Sequence, residues 1–550
     1  MTHPFKHLLS GIALLTTLMA GAQTLPDGIQ AIDYDKNEAA RDILHRLTQK
    51  EPANGSNHYY LGRAYINLYR LDSARMAFNH GVQAEPLNPA NYAGLGELLL
   101  EEGKTEAARE QFNKALSFSK TKDGRVKDVQ ALRVVAHSMV LAENKLIDEA
   151  VALIEQALEQ KRTYEIYVTA GDIYLEKNDG GKSASMYEKA IEMSPKNPQA
   201  YVRVANIWLR VKNADATLNE LNRALQIDSN YAPVLKALAE YYSQTRQFEK
   251  AKLYFERYLT NSENSTSNRA RYARILFRNK DYNETLQVIT DLLSRDESDL
   301  YMFRLGGYSY FEVGNENKDT SNFRPGAALL QHFVDHIDTA KILSSDYEYL
   351  GKLYARIPEM DSLAVVYINL ALQKDPQKIE LHREAGLIYN RIRRFDQAIV
   401  CFETYIAKAS KPNAADYYML GIASNYGKEY AKADSAFGMI NILKPDYAEA
   451  YYFRGLAVGA MDPEFKTPAA KDHWEKFVSM AESNPDKYKK YLISSYNYIA
   501  KYYIKQDENT RAKEYLNKLL ALDPDNKEAK DIIRQLDAPP PPAQKPAKKK

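Results

Sequence analysis

Two histidines four residues apart, His332 and His336, are the nearest this 550-residue chain comes to a metal-binding pattern. On a helix they share one face, and with Asp335 and Asp338 close by the pair has the spacing that zinc hydrolases use. Those enzymes need a Glu directly after the first His and a third ligand, and here Phe333 stands in the Glu position. Two polar imidazoles on a solvated face account for the pair, so no metal is expected. The single cysteine, Cys401, lies among Ile399, Val400 and Phe402 and reads as a small core thiol rather than a nucleophile. No glycine-rich phosphate loop, nucleophile elbow or cysteine cluster occurs in the sequence. Neither a catalytic constellation nor a cofactor pattern is present, and a non-catalytic role is expected.

What the chain does carry is a period. Leu61-Gly62-x-x-Tyr65 is followed by Ala74, Phe78, Gly81 and Pro86, and then Leu95-Gly96-x-x-Leu99 by Ala108, Phe112 and Ala115. The small residue returns at Gly171, Ala205, Ala239 and Ala273, and again at Gly306, Gly351, Gly386, Gly421, Gly455 and Ala500. A large and a small residue at i, i+1 and i+4 share one helical face; the small one admits a neighbouring helix and the aromatic fills the space beside it. Proline after the second helix, at Pro86, Pro195, Pro376, Pro445 and Pro524, stops it and sets the turn. One such pair cannot bury its own apolar face, so neighbours must stack.

These residues resemble the tetratricopeptide repeat (TPR) family, in which each unit of about 34 residues is a helix–turn–helix. The resemblance implies an all-α, right-handed superhelical solenoid. It has about 13 full units beginning near residues 55, 89, 131, 164, 198, 232, 266, 299, 344, 379, 414, 448 and 493. A partial unit at 23–54 precedes a first array at 55–298, and a second array with insertions runs over 299–525. A capping helix is expected over 526–537 and a disordered Pro/Lys-rich tail over 538–550. Three places depart from the pattern: Ser138 in the unit near 131, where the helices are expected to be longer, a polar loop at Asn315–Gly326, and a longer turn at Asp462–Pro468. Such insertions either shape a binding face or are neutral.

In the family the first helices line the inner surface. Carried over, that places Glu97, Glu101, Asp172 and Glu176 at an acidic entry. A basic middle follows: Arg203, Arg210, Lys236, Arg271, Arg274, Arg278, Arg304, Lys352, Arg356 and Arg391. Tyr418, Tyr426, Tyr452 and Phe453 form an aromatic end. Such a groove suits an extended acidic peptide, because Arg grips carboxylates through paired hydrogen bonds and Tyr adds apolar area. The alternative is a set of solvated charges worth little. The carboxylate clamp of co-chaperone repeats is not matched, since Val202 and Ala237 stand where its Lys and second Asn belong.

The ends suggest the compartment. Lys6, His7, an apolar stretch from Leu8 to Met19 and the small-x-small triplet Ala20-Gly21-Ala22 read as an export signal over residues 1–22, cleaved after Ala22. With no Cys following, a lipoprotein is not expected, and no later segment is apolar enough to span a membrane. A formal charge of +2 argues against nucleic acid as a partner. Asp-Ser/Thr-x triplets at Ser73, Thr339, Ser362 and Ser435 resemble acceptors of a Gram-negative periplasmic O-glycosylation system, or are helix-start residues. The resemblance to periplasmic TPR proteins implies a scaffold that holds envelope proteins or peptides. The competing role is an accessory subunit of a cell-wall or glycan-acting enzyme.

Overall fold

The computed structural model describes residues 23–295 and 299–538. The segment read as an export signal, residues 1–22, and the tail beyond residue 538 lie outside the described residues. The chain divides into two compact units, Met1–Asp296 and Glu297–Lys550.

The first unit opens with α1 (Leu25–Asp33) and α2 (Asn37–Lys50). Seven pairs follow: α3 (Gly55–Asn67) and α4 (Leu71–Ala84), α5 (Pro89–Glu101) and α6 (Thr105–Ser117), α7 (Val129–Leu141) and α8 (Ile147–Gln160), α9 (Tyr164–Glu176) and α10 (Gly180–Met193), α11 (Pro198–Arg210) and α12 (Ala214–Ile227), α13 (Ala232–Gln244) and α14 (Phe248–Asn261), α15 (Thr266–Asn279) and α16 (Tyr282–Arg295). The second unit has six: α17 (Leu300–Asn317) and α18 (Phe323–His336), α19 (Ser344–Tyr354) and α20 (Asp361–Lys374), α21 (Glu380–Arg391) and α22 (Phe395–Lys408), α23 (Ala414–Tyr426) and α24 (Tyr430–Leu443), α25 (Ala448–Met461) and α26 (Ala469–Ala481), α27 (Pro485–Lys505) and α28 (Asn509–Leu522). The capping helix α29 (Lys527–Asp537) ends it. The described chain is thus an all-α array of thirteen full pairs, with a short-helix pair before and a cap after.

The start of many first helices is written locally. Asn54, Asn88 and Asn197 each accept, through the side-chain oxygen, the N–H two residues on (3.1, 3.0 and 3.0 Å), satisfying a donor the helix cannot use. Pro89, Pro198 and Pro485 occupy first-turn positions, where the missing N–H costs nothing. The turn inside every full pair except α7–α8 is tight enough to need one left-handed residue. Gly103 supplies it once (φ 73°), but Tyr69, Lys212, Arg246, Lys280, Arg393 and Lys428 adopt the same conformation with φ between 58° and 69°.

The core is a row of large side chains, one on each second helix, in repeat register. Phe78, Phe112, Ile154, Tyr187, Leu221, Phe255 and Ile289 run through the first unit, all 0–1% exposed apart from Phe255 at 2%. Phe333, Ile368, Phe402, Phe437, Trp474 and Leu516 continue the row in the second. The glycines of the first helices exist for these rings. A Cβ on Gly62 would lie 2.3 Å from Phe78, on Gly96 2.4 Å from Phe112, and on Gly171 2.3 Å from Tyr187. Gly386 and Gly421 stand in the same relation to Phe402 and Phe437, and Ala205, Ala239 and Ala273 take the position where a methyl group fits.

The irregular units are corrected by the structure. Asn315–Gly326 is not a polar loop: α17 simply continues to Asn317, and one short 3-10 turn, Thr320–Asn322, leads into α18. There Gly307, one residue later than the small position read from the period, meets α18, its Cβ falling 2.6 Å from Leu330. In the unit near 131 the helices keep ordinary lengths, 13 and 14 residues. The added residues form the loop before α7, held by an antiparallel bridge between Lys120 and Val126 and by Gln160 donating to the Val126 carbonyl at 2.9 Å. Elsewhere α27 gains two turns at its start and runs for 21 residues.

Candidate partner-binding face

Which side of each unit is inner follows from helix contacts. First helices of successive pairs touch directly: α1 with α3, α3 with α5, α5 with α7, α7 with α9, α11 with α13, and α17 with α19. No two successive second helices make a comparable contact among the described residues. Helices that touch lie on the shorter arc, so the first helices line the inside of the curve over these stretches, α1 to α9, α11 to α13 and α17 to α19.

A repeat of this length sets side chains about 34 residues apart beside one another on neighbouring first helices. Opposite charges therefore latch across the inner face. Arg63 reaches both oxygens of Glu97 at 2.6 Å, and Ser138 donates to the same carboxylate at 3.2 Å. Asp172 accepts from Arg203 and from the Tyr187 hydroxyl, both at 2.6 Å, with His137 3.5 Å away. Burial alone would raise the Asp172 carboxyl, but Arg203 and His137 outweigh it and hold the group below the usual carboxylate range. The acidic entry is corrected here. Glu97 and Asp172 are buried counter-ions, 5% and 9% exposed, because their period places a cation beside each. Glu101 accepts from the Glu143 backbone N–H at 2.9 Å, and Glu176 pairs with Lys145.

Much of the basic stripe is likewise engaged. Lys236 lies 3.6 Å from Asp35 and Arg271 3.6 Å from Glu240, while Arg278 donates to Ser243 at 3.1 Å. Arg274 is exposed on α15 and has an interaction partner. In the second unit Arg304 is an anchor rather than a groove cation: it donates to buried Asp346 at 2.7 Å and to the Lys341 carbonyl at 2.9 Å, and lies 4.3 Å over the Phe333 ring. Lys352 and Lys378 share Glu348 at 2.6 Å each, and Arg391 spans Asp361 and the Ala355 carbonyl at the end of α19. Arg210 and Arg356 are exposed.

Of the aromatic end, Tyr426 is 61% exposed and stacks on Phe395, and Tyr418 meets Phe437 and Phe453 edge-on. Tyr452 belongs to the core, 9% exposed, with Trp474 perpendicular to it at 4.7 Å and Phe477 at 5.4 Å. The longer turn before Trp474 lets that indole replace the usual phenylalanine.

One arrangement escaped sequence reasoning. The turn between α1 and α2 docks on the far pairs of the same unit. Asp33 accepts from Gln199 at 2.9 Å and from the Tyr231 hydroxyl at 3.0 Å; Tyr34 donates to Asp228; Asp35 accepts from the Tyr258 hydroxyl at 3.0 Å. The Glu263 N–H donates to the Asp35 carbonyl at 3.1 Å. Burial outweighs these bonds and raises the Asp33 carboxyl. The contact borders an open pocket of about 780 Å³ between α1, α3, α7 and the turn into α11. No local pattern announces a contact across 166 to 223 residues.

The remaining candidates are placed simply. His332 lies between Phe303, 4.3 Å away, and His336, 4.1 Å away, and its carbonyl oxygen is 2.8 Å from the His336 ring Nδ1. Cys401 is half-buried and burial pushes its thiol up to about 11. Ser73 is half-buried in the first turn of α4, whereas Thr339, Ser362 and Ser435 are exposed.

Family models match two stretches of the sequence. The tetratricopeptide repeat-like domain matches residues 88–205, and the tetratricopeptide repeat matches residues 493–526. The C-terminal part of a TPR repeat-containing protein from Cytophaga hutchinsonii is 30% identical, covering 48% of this chain and 98% of that one, with a TM-score of 0.38. A tetratricopeptide repeat protein from Parabacteroides merdae is 14% identical over 47% of this chain and 98% of its own, with a TM-score of 0.32. The Cut9–Hcn1 hetero-tetramer of APC/C matches at 13% identity over 93% and 95%, with a TM-score of 0.30. No curated protein matches the chain. With the repeat read in the residues, seen in the helix pairs and matched by the family, the chain belongs to the tetratricopeptide repeat proteins.

Proposed function

We propose that the protein is a non-catalytic scaffold that holds partner proteins or extended peptide segments along the inner faces of its two units. TPR repeats mediate protein–protein interaction, and one observation carries the reading further. First helices touch from pair to pair over α1 to α9, at α11–α13 and at α17–α19, so these stretches curve around an inner face along which a second chain can lie. The exposed side chains Arg210, Arg278, Arg356 and Tyr426 are the accessible contact groups of these helices. The place of action is the periplasm, reached through the export signal of residues 1–22, and the partners are envelope proteins. No described helix is long and apolar enough to cross a membrane. Glycans on Thr339, Ser362 or Ser435 belong to the same reading, and intact mass of the exported protein tests them.

A photo-crosslinking residue at Arg210, Arg356 or Tyr426, followed by mass spectrometry from native cells, tests the scaffold. Several envelope proteins are expected, and the pair Arg210→Glu with Arg278→Glu weakens those captured in the first unit. A single captured enzyme favours the accessory-subunit role. Capture no greater than from a probe at Glu192, on second helix α10, overturns both.

A further inference from the structure

The open pocket bordered by the docked α1–α2 turn is more than a by-product of that contact. Its wall holds two kinds of anion receptor. Gln199 and Tyr231 already bind a carboxylate, that of Asp33, at 2.9 and 3.0 Å. Tyr164 donates to the Gln199 amide oxygen at 3.2 Å, which turns the amide N–H toward the acid. Lys196 stands near Gln199 in the turn into α11, and Arg63, Arg133 and His137 stand on α3 and α7. Arg63 is neutralised by Glu97, and His137 lies beside Asp172. Arg133 donates only to the neutral Gln130, at 2.9 Å, and Lys196 is exposed; among the described residues neither is paired with a carboxylate. Tyr34, Tyr59 and Tyr60 supply ring surface in the same pocket.

We infer that this pocket is a binding site for a short acidic peptide segment, its carboxylates taken by Arg133 and Lys196 and its apolar parts by the three tyrosines. The volume suits it. About 780 Å³ lies in the range of ligand sites and admits a segment of roughly four to six residues. The charge suits it too, because two unpaired cations share the pocket with one buried carboxyl that the wall itself has satisfied. Helix α1 is then the wall of the site, and its nine residues, with Gly28 alone buried, form an element that opens at small cost. The inference rests on the inner face being a partner surface, but it names a place and a chemistry which that reading leaves open.

The test is fluorescence anisotropy on the full chain with the labelled peptide Glu-Glu-Tyr-Glu-Glu. Saturable binding is expected, weakened about tenfold or more by Arg133→Glu with Lys196→Glu, as two lost charge-assisted contacts require. The neutral pair Arg133→Gln with Lys196→Gln, checked by circular dichroism and melting, gives the same direction should the charge reversal disturb folding. A Lys-Lys-Tyr-Lys-Lys control does not bind. Absence of saturable acidic-peptide binding, or binding that neither variant pair weakens, overturns the pocket as a site while leaving any partners crosslinked at Arg356 or Tyr426 in place. Equal binding of a five-nucleotide single-stranded DNA overturns the peptide assignment in favour of bare anion attraction.

Discussion

The inner faces of the two units start from the same helix pair and are finished by different means. In the first unit, ions one repeat apart latch neighbouring first helices, as in Arg63–Glu97 and Asp172–Arg203, and the α1–α2 turn then fastens onto α11 to α15. The second unit begins in the same way, with Arg304–Asp346 and Arg383–Asp416, but from α23 onward a cluster of rings joins the ion pairs, which continue at Arg454–Asp434 and Lys487–Glu449. Tyr418, Phe437, Phe453, Tyr452, Trp474 and Tyr491 form one connected set. Ionic latches are directional and pin register, because a misplaced partner leaves a half-buried charge. Aromatic contacts tolerate offset and edge-on geometries and fill irregular space. Their use coincides with the places where the period is stretched, at Asp462–Pro468 and in the lengthened α27.

Three experiments sharpen that contrast. The largest effect belongs to Trp474, 1% exposed and wedged against Gly455, where an added Cβ would lie 2.8 Å from the indole. Trp474→Ala is expected to cost about 4 kcal/mol and to raise hydrogen exchange across α25 to α27, leaving α3 to α16 protected. Exchange rising equally in both units would show that they unfold as one. Next comes Glu97→Ala, which strands Arg63 and is expected to cost about 3 kcal/mol. Replacing both partners by Leu recovers most of that loss; a double variant as unstable as the single one would show that the latch does not act through charge. The smallest is Tyr231→Phe, which removes one hydroxyl from Asp33 and leaves Gln199 in place. About 1 kcal/mol is expected, read as faster exchange in α1 alone, and unchanged α1 exchange would mean that the turn is held by its other contacts.

How far the residues alone led can be judged from individual positions. Gly62, Gly96 and Gly171 were legible as close-contact sites because a fixed offset of 16 residues links each to the ring it admits. Arg203 and Asp172 were legible as inner-face charges, yet not as partners of each other, since the period says which residues are neighbours and not which of them face outward. Tyr452 was read as surface because its helix is apolar nearly all round, which leaves periodicity without a preferred face. Arg133 and Lys196 were passed over altogether: neither belongs to a motif, and their interest comes from a wall contributed by α1.

From the sequence alone come the repeat, the helix pairs, the small-against-large core contacts and the caps, because each is an interaction between residues within about one repeat and so leaves a local, periodic mark. Tertiary structure alone decided which charges are spent on one another, where the period is absorbed into a longer helix, and that the first unit folds its own N-terminal turn across to α13 and α14. Those outcomes depend on the accumulated curvature of many pairs. A small rotation per repeat, summed over several, brings Asp33 to Tyr231, and no single repeat encodes that sum.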